Sequence, residues 1–365
     1  MELQKVIAEI DLRSLSHNLE VVKKKTGGKD IMAVVKANAY GHGALEISRH
    51  LIQKGTSKLG VAFTGEAIAL RESGIDIPIT VFFDRDNIDE CIRYKLTPTV
   101  FDLSSAKKIS AKARKLNKKI PVHIKVDTGM GRIGFTMDSA MNEIAKIASL
   151  KNILPEGIMS HFSEADLKDK KFAKLQLKNF SSIISSLEEK KITFKHHHMA
   201  NSAAVLTMPK AHFDMVRPGI MLYGYGYHGV SGLKPVLSLK SNILLIKTVP
   251  KGTPISYGRT FITKRRSTIA TIPLGYADGY SRKLSNKGEV LIKGMRVPVA
   301  GRVCMDTVMV DVTDIPGVSY KSKVVIIGSQ GKEKITAEEI ADKTGTIPYE
   351  VLTSIGQRVK RVYRT

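Results

Sequence analysis

The chain has 365 residues, 42% of them hydrophobic and 25% charged, which is the composition of a globular protein with a full hydrophobic core. It carries only two cysteines, Cys91 and Cys304, which disfavours a secreted disulfide scaffold and favours reduced thiols in the cytoplasm. The formal net charge of +24 is spread along the chain without interleaved aromatic residues, so we expect a solvated basic surface and no nucleic-acid partner.

The first residues, MELQKVIAEIDL, include no basic leader, apolar region or cleavage site, and we expect no secretory signal. No uninterrupted apolar run reaches the ~18 residues that a membrane-spanning helix needs. These features predict a cytoplasmic protein without a membrane partner.

Residues 31 to about 224 alternate strand-like runs with amphipathic helical segments, of which residues 169–190 are the longest. Gly55 and Gly74 stand where glycines end helices. This rhythm predicts right-handed crossovers and a parallel sheet, and about eight strands close a (β/α)8 TIM-type barrel; a doubly wound open sheet is the alternative. The predicted strands are 32–36, 58–63, 77–83, 96–101, 120–126, 156–162, 193–199 and 212–217.

After Gly229 the sequence becomes rich in β-type runs divided by glycine and proline, such as STIATIPL and GEVLIKGMRVPVA. This texture predicts a mostly antiparallel β domain, with one helix at 336–345 whose N-cap is Thr336 and whose capping box is completed by Glu339. We place the barrel domain at 1–229 and the β-rich domain at 230–365. A first strand at about 4–11 can pack with the second domain.

Three stretches match the residue pattern of a dinucleotide or metal site but lack the secondary structure that such a site needs. The glycine pattern at 224–229 leads into more strand, and the one at 129–134 lies deep in the chain with no helix directly after it, so neither predicts a dinucleotide site. The run His196–His198 alternates between the two faces of a strand, so its three rings cannot converge on one ion. We expect no metal site.

Chemistry-bearing residues follow the predicted strands at their carboxyl ends, where barrel enzymes build their sites. They are Lys36, Tyr40, Lys125, Arg132, His161, Asn201, Ser202, Arg217, Gly219 and Ile220. The seventh and eighth loops offer small residues and backbone N–H groups suited to a phosphate. An amine, a phosphate cradle and no metal together suggest pyridoxal 5'-phosphate (PLP), whose aldehyde a lysine can bind as a Schiff base.

The stretch AVVKANAYGHG at 33–43 resembles the cofactor-lysine motif of alanine racemases. Further resemblances follow in the family's order over nearly the whole chain: KVDTGMGRIG, SHFSEAD, HMANSAA, VRPGIMLYG, ISYGRTF, PLGYADGYSR and GRVCMDTVMVDV. The resemblance implies a PLP-dependent isomerase that interconverts L- and D-alanine and supplies D-alanine for peptidoglycan. It also implies a homodimer whose active sites combine both chains.

The resemblance assigns the two proton-transferring groups to Lys36, which also holds the cofactor, and to Tyr257 of the partner subunit. Cofactor contacts are implied for Tyr40, His161, Asn201, Ser202, Arg217, Gly219 and Ile220, with Arg217 facing the pyridine nitrogen. The substrate carboxylate is implied to meet Arg132 and the backbone N–H of the partner subunit's Met305. Other implied site residues are Lys125, which is carbamylated in some members, Tyr276 at the entrance, and Cys304 and Asp306 beside Met305.

Gln357 departs from the family pattern, because many members have a tyrosine at this position that narrows the pocket. A more polar residue here makes a racemase of serine or of small amino acids generally an alternative. A second alternative, a PLP-binding protein without catalysis, has a single barrel and is disfavoured by residues 230–365. A decarboxylase is disfavoured because Arg132 and Met305 would stabilise the carboxylate. The residues leave open the substrate range, the carbamylation of Lys125 and the reason for the strong positive charge.

Overall fold

In the computed structural model, residues 6–226 and 232–365 are described. The chain forms two compact units, which we name the barrel unit (Ser14–Ala39 and Ala44–Lys234) and the β unit (residues up to Arg13, Tyr40–Gly43 and Pro235–Thr365). The predicted domain boundary at 229/230, the end of the 224–229 glycine motif and the start of the strand at about 4–11 lie outside the described residues. The two-domain division at 229/230 stays a prediction.

Among the described residues the barrel unit contains eight strands; the first seven pair in parallel in chain order, and the eighth pairs in parallel with the first. The seventh and eighth are joined by Asp214 N–H donating to His197 O (3.2 Å) and Arg217 N–H donating to Ala200 O (2.9 Å). The predicted barrel is therefore confirmed and the open sheet is wrong. The strands are Asp30–Val34, Lys58–Val61, Ile79–Val81, Thr97–Val100, Ile120–Lys125, Ile153–Met159, His196–His198 and Met215–Val216.

Helices between these strands bury one apolar face each, as Ile47 and Leu51 show for the helix after the first strand. Gly55 (φ +89°) and Gly74 (φ +86°) adopt the left-handed conformation that ends a helix, as predicted. The helices are Leu12–Thr26, Ala44–Gln53, Thr64–Glu72, Ile88–Arg93, Leu103–Lys115, Met137–Ala148, Lys171–Glu189 and Ser202–Thr207, with single turns at Lys36–Tyr40, Pro209–Ala211 and Ile220–Tyr223. No helix among the described residues is long and apolar enough to cross a membrane.

The β unit is mostly antiparallel, as predicted, and among its described residues one parallel pair joins Val6–Asp11 to Lys360–Arg364. The strand Val6–Asp11 also pairs antiparallel with Leu237–Asn242 in the same sheet. The remaining strands are Leu245–Val249, Pro254–Ile255, Phe261–Ile262, Ser267–Ile272, Glu289–Ile292, Met295–Pro298, Val308–Asp311, Lys323–Gln330 and Glu333–Ile335.

Two helices, Ala337–Thr344 and Pro348–Thr353, lie in the β unit, with single turns at Tyr257–Arg259, Tyr276–Asp278 and Arg282–Leu284. Thr336 caps the first helix as predicted, because its Oγ1 accepts the N–H of Glu339 (3.1 Å). The second helix was missed by the expectation of a single helix in this region. Its signal is the proline at the first helical position of a segment only six residues long.

Candidate active site

Lys36 follows the first barrel strand, and the pairing continues to Val35, whose N–H donates to Gly60 O (2.9 Å). The chain then turns through Ala37–Tyr40 with φ of 52° to 53°, a left-handed turn made without glycine. Such residues each cost roughly 1–2 kcal/mol, so the surroundings must impose the turn. Glu66 does so by accepting the Ala37 N–H (2.6 Å). Backbone strain is thus concentrated beside the lysine.

The Lys36 amine is partly enclosed by residues of the barrel unit. Its Nζ lies 5.4 Å from the centre of the Phe83 ring, and the guanidinium carbon of Arg132 lies 5.1 Å from the same centre. Burial lowers the pKa of Lys36, the charge of Arg132 lowers it further, and Glu66 opposes them. The uncharged amine that nucleophilic and base chemistry requires is therefore favoured.

The loop that carries Arg132 is organised around the carboxylate of Asp127. This carboxylate accepts the N–H groups of Gly129 (2.9 Å), Met130 (2.7 Å) and Arg132 (3.0 Å). Gly134 (φ +126°) closes the loop, and a Cβ there would lie 2.6 Å from the Asp127 nitrogen. The glycines therefore form a turn centred on a carboxylate, and the next helix begins only at Met137, unlike a dinucleotide fingerprint.

Lys125 ends the fifth strand inside the barrel, where its side chain is buried. Its Nζ donates to Val126 O (3.0 Å). Burial lowers the pKa of Lys125 to about 7, and the charges of Arg217 and Arg132 act in the same direction while Asp127 opposes them. A large fraction of this amine is uncharged near neutral pH.

Arg217 is buried, and its guanidinium bonds only uncharged acceptors. Its Nη atoms donate to the carbonyls of Ser160 (2.6 Å), His198 (2.8 Å) and Met199 (3.2 Å), and to Nδ1 of His198 (2.8 Å) and of His161 (3.3 Å). Within the described part of the chain, its Nε–H has no acceptor. This leaves one cationic donor available to a ligand, in a site from which bulk water is largely removed.

His161 is held in the neutral state by this environment. Burial and then the charge of Arg217, followed by Lys125, Arg132 and Lys36, hold its pKa well below the ordinary value. Because its Nδ1 accepts from Arg217, the ring proton belongs on Nε2. His161 therefore presents a neutral ring beside a concentration of cations.

The loops after the seventh and eighth strands meet at Ser202. The Ser202 Oγ accepts the N–H groups of Gly219 (2.9 Å) and Met221 (3.3 Å), while Asn201 Oδ1 caps the short helix at Ala204 N (3.0 Å). The N–H of Ile220 has no acceptor in the described chain. A hydroxyl and a free N–H on two neighbouring loops fit an anionic phosphate, as the PLP expected from the sequence requires.

The β unit presents Tyr257 on a strained turn, with Ser256 at φ 66°, Gly258 at 71° and Arg259 at 51°. Ser256 holds the turn by donating to Arg302 O (2.6 Å). The Tyr257 side chain is 69% exposed. The strained turn therefore leaves the Tyr257 phenol largely exposed on the surface of this chain.

Met305 and its neighbours Cys304 and Asp306 line a cleft of about 510 Å³ together with Tyr257. The Tyr276 N–H donates to Cys304 O (3.1 Å), so Tyr276 lies next to this loop. The Met305 N–H has no acceptor among the described residues. Asp306 pairs with Arg358 (2.7 Å), which also binds Asp278.

The predicted site residues thus form two groups, one in each unit. In the barrel unit the side chains of Lys36, Lys125, Arg132, His161 and Arg217 lie close enough to influence one another's pKa values. In the β unit Tyr257 and the Met305 loop line the same cleft. Tyr40 falls in the β unit. Among the described residues, no group of histidine, cysteine and carboxylate side chains has the arrangement of a metal site.

Sequence reasoning missed Glu66, Phe83 and Asp127, which contact the site residues, and also missed His123, which lies in the same strand as Lys125. Glu66 had a signal, since an acid in the first turn of a helix usually binds nearby N–H groups, and here it also accepts the Ala62 N–H (2.7 Å). His123 precedes Lys125 by two residues in a strand and therefore shares its face. Phe83 had no signal beyond its place after a strand.

The family model for the alanine racemase N-terminal domain matches residues 10–226, and that for the C-terminal domain matches residues 236–363. An alanine racemase of Carboxydothermus hydrogenoformans is 44% identical over 99% of this chain and 100% of its own length. The solved alanine racemase of Clostridium difficile 630 is 39% identical with a TM-score of 0.93, covering 99% of this chain and 96% of its own. That of Bartonella henselae, which has covalently bound pyridoxal phosphate, is 32% identical with a TM-score of 0.90, covering 99% of both chains.

Proposed function

The chain belongs to the alanine racemase family, and from that premise we propose which of its residues carry the reaction. It is a PLP-dependent isomerase that interconverts L- and D-alanine, and D-alanine serves cell-wall peptidoglycan. Lys36 binds the cofactor and moves the proton on one face of the substrate, and Tyr257 moves it on the other. The observation that carries this assignment is the position of Lys36 directly after the first barrel strand, at the carboxyl end of the barrel, with its Nζ 5.4 Å from the centre of the Phe83 ring. Burial and the charge of Arg132 lower its pKa, which supports the assignment.

Bound PLP draws electron density from the substrate Cα and makes its C–H bond acidic. Arg217 directs its free Nε–H at the pyridine nitrogen and, as a permanent cation, leaves that nitrogen without a proton. The electron sink is thereby weaker than one opposite a carboxylate. We infer that the proton then returns to Cα, which favours racemisation over transamination.

Arg132 binds the substrate carboxylate, helped by the backbone N–H of the partner subunit's Met305. Arg132 is suited to this because its backbone is fixed by Asp127 (3.0 Å) and its guanidinium lies over the Phe83 ring. A stabilised carboxylate resists loss of CO₂, which disfavours the decarboxylase alternative. The phosphate is held by Ser202, Gly219 and Ile220 with Tyr40, while Asn201 fixes the helix start.

Lys125 is carbamylated in this proposal. An uncharged amine attacks CO₂, a carbon–nitrogen bond forms and one proton is released, so the product is a carbamate anion. The lowered pKa of Lys125, about 7, supplies the uncharged amine. The new negative charge would steady Arg132, which contributes to the lowered pKa of Lys125.

We propose that the active sites are completed in a homodimer. The support is the exposure of Tyr257 (69%), Met305 (53%) and Tyr276 (43%), side chains that are unusual on open surface and belong to neighbouring loops of the β unit. Tyr257 of the partner subunit would then lie on the face of the cofactor opposite Lys36. Both cysteines are free thiols, in keeping with a cytoplasmic location.

Mixing two inactive variants tests the shared site. Lys36→Ala removes the cofactor amine and Tyr257→Phe removes the second acid–base group, and each alone should lower kcat by at least ~10²-fold. Heterodimers of the two should regain activity, because one of their two sites then has both groups. Racemisation is followed by α-deuterium uptake and loss of optical rotation in D₂O.

Verified heterodimers that stay inactive would contradict the shared site. Borohydride treatment followed by peptide mapping tests the first assignment independently, because the label should appear on the peptide that contains Lys36. Lys240→Met in the β unit, whose amine bonds Glu9, is the matched lysine control and should change neither result.

A further inference from the structure

Two buried imidazoles continue from Arg217 into the interior of the barrel. Arg217 Nη1 lies 2.8 Å from His198 Nδ1, and His198 Nε2 lies 2.8 Å from His123 Nδ1. Both histidine side chains are fully buried. No step of the proposed reaction uses either ring directly.

The donors and acceptors of this chain assign both tautomers. A guanidinium only donates, so His198 Nδ1 must be the acceptor and its proton must lie on Nε2. That N–H in turn donates to His123 Nδ1, which places the second proton on His123 Nε2. Either ring in the opposite tautomer, or protonated, would set one N–H against another. Burial lowers the pKa of His123 to about 3, which keeps the ring neutral.

The backbone beside His123 leaves room for its ring because the residue opposite is a glycine. In the parallel pairing, His123 stands opposite Gly157, and a Cβ at Gly157 would lie 2.9 Å from the ring nitrogen Nδ1. The ring also meets His198 edge-on, with centres 4.8 Å apart and planes at 69°. The absence of a side chain at 157 thus makes room for the ring that receives the His198 proton.

Packing alone does not account for a histidine at this position. Its Nε2 atom is buried and has no hydrogen-bond partner among the described residues. A buried unsatisfied N–H costs about 1–3 kcal/mol, which a phenylalanine of similar size would avoid. A histidine is explained here by its other ring nitrogen, Nδ1, which accepts the Nε2–H of His198.

We propose that His123 is a positioning residue for racemisation: by accepting the Nε2–H of His198 it stabilises the tautomer whose Nδ1 accepts from Arg217, and so it helps to aim the free Nε–H of Arg217 at the cofactor ring. This rests on the role proposed above for Arg217. His123 itself touches neither cofactor nor substrate. Without it, His198 can place its proton on Nδ1, where it would repel the guanidinium and turn it.

Three variants separate the acceptor from the shape of the ring. His123→Phe keeps the bulk and removes the acceptor, whereas His123→Asn places an amide oxygen near the position of Nδ1 and should restore it. Gly157→Ala retains His123 but presses on its ring. His212→Gln is the control, because His212 is another buried histidine of the barrel unit, bonded only to main chain, including Val205 O (3.1 Å).

Nitrogen NMR of holoenzyme labelled at histidine gives the readout that does not depend on activity. In wild type and His123→Asn, His198 should show a protonated Nε2 and a bare Nδ1. In His123→Phe and Gly157→Ala it should show a mixture of tautomers, with a shift of the cofactor's visible absorption band. The kcat should fall on the order of 10-fold with little change in KM, while His123→Asn and His212→Gln stay near wild type.

A single His198 tautomer in folded His123→Phe, or in Gly157→Ala if the first variant does not fold, would overturn the proposal. A changed tautomer with an unshifted absorption band would overturn it as well. The proposed role of Arg217 fails separately: Arg217→Met would then leave the absorption band unchanged even though the tautomer in His123→Phe had responded.

Discussion

The site cations of the barrel unit and Arg296 of the β unit have opposite electrostatic surroundings. In the barrel unit, Lys36, Lys125 and Arg217 are partly or fully buried, and no carboxylate forms an ion pair with them among the described residues. In the β unit, Arg296 binds Glu289 (3.0 Å), Glu333 (2.9 Å) and Glu339 (2.7 Å). The same residue types therefore serve different purposes in the two units.

The pKa values of these cations are shifted in opposite directions because their surroundings differ. Burial, with the charge of Arg132 acting in the same direction, lowers the pKa of Lys36 and of Arg217, whereas the hydrogen bonds that Arg296 donates to Glu339 and to the other two carboxylates raise its pKa. A cation whose charge is unmatched, meaning that it has no carboxylate partner, favours an anionic ligand. A cation that is already paired with carboxylates has no free donors for such a ligand. The location of unmatched charge therefore separates the site from the scaffold.

The largest effect should come from removing an unmatched cation. Arg217→Met should lower kcat/KM by ~10²-fold or more, because the cofactor loses its only proposed partner at the pyridine nitrogen. Arg296→Met should change kcat/KM by less than about 2-fold and should lower the free energy of unfolding by about 1 kcal/mol, as expected for a partly exposed ion-pair network. Steady-state kinetics and urea unfolding measure both.

If Arg296→Met proved as harmful to turnover as Arg217→Met while remaining folded, unmatched charge would not identify the site. Cofactor affinity in Arg217→Met, measured by titrating the visible band, indicates whether loss of binding rather than loss of turnover accounts for the effect.

An intermediate effect is expected for the stability of Lys125→Met against pH. The folded pKa is about 7 and the ordinary value is 10.5, so between these values the unfolded chain binds more protons and the stability of wild type rises with pH. Below pH 7 wild type carries the full cost of a buried charge. Lys125→Met should therefore be the more stable protein at low pH, on the order of a few kcal/mol, with an advantage that shrinks as pH rises.

Urea unfolding in CO₂-free buffer at several pH values checks this difference. An advantage that is constant with pH would mean that Lys125 does not titrate in this range. Adding bicarbonate should stabilise wild type and leave Lys125→Met unchanged, because only the wild-type amine can form a carbamate; an equal response would argue against the modification.

The smallest effect is expected at Gln357, which is exposed in the β unit between Gly356 and Arg358. Gln357→Tyr should raise the preference for alanine over serine by several-fold, because a bulkier side chain at this position leaves less room for the serine hydroxyl. The ratio of the two kcat/KM values is the measurement. An unchanged ratio would remove Gln357 from the determinants of substrate range.

Much of the barrel could be predicted from local pattern. Apolar runs of strand length, helical periodicity between them and glycines such as Gly55 and Gly74 are properties of neighbouring residues, and their number implies closure. A polar residue directly after a strand is predicted to lie at the carboxyl-end rim of the barrel. Lys36, Lys125, Arg132, His161 and Arg217 could therefore be grouped from the sequence alone.

By itself, then, the sequence determined the architecture, the order of the strands and which residues reach the catalytic end of the barrel, because each depends on short-range periodicity. Only the tertiary structure decided the left-handed turn after Lys36, where alanines would favour an ordinary helix. It alone brought His123, His198 and Arg217 into a directed chain. Those contacts join strands far apart in sequence, and their geometry depends on strand register and ring orientation, which local pattern does not encode.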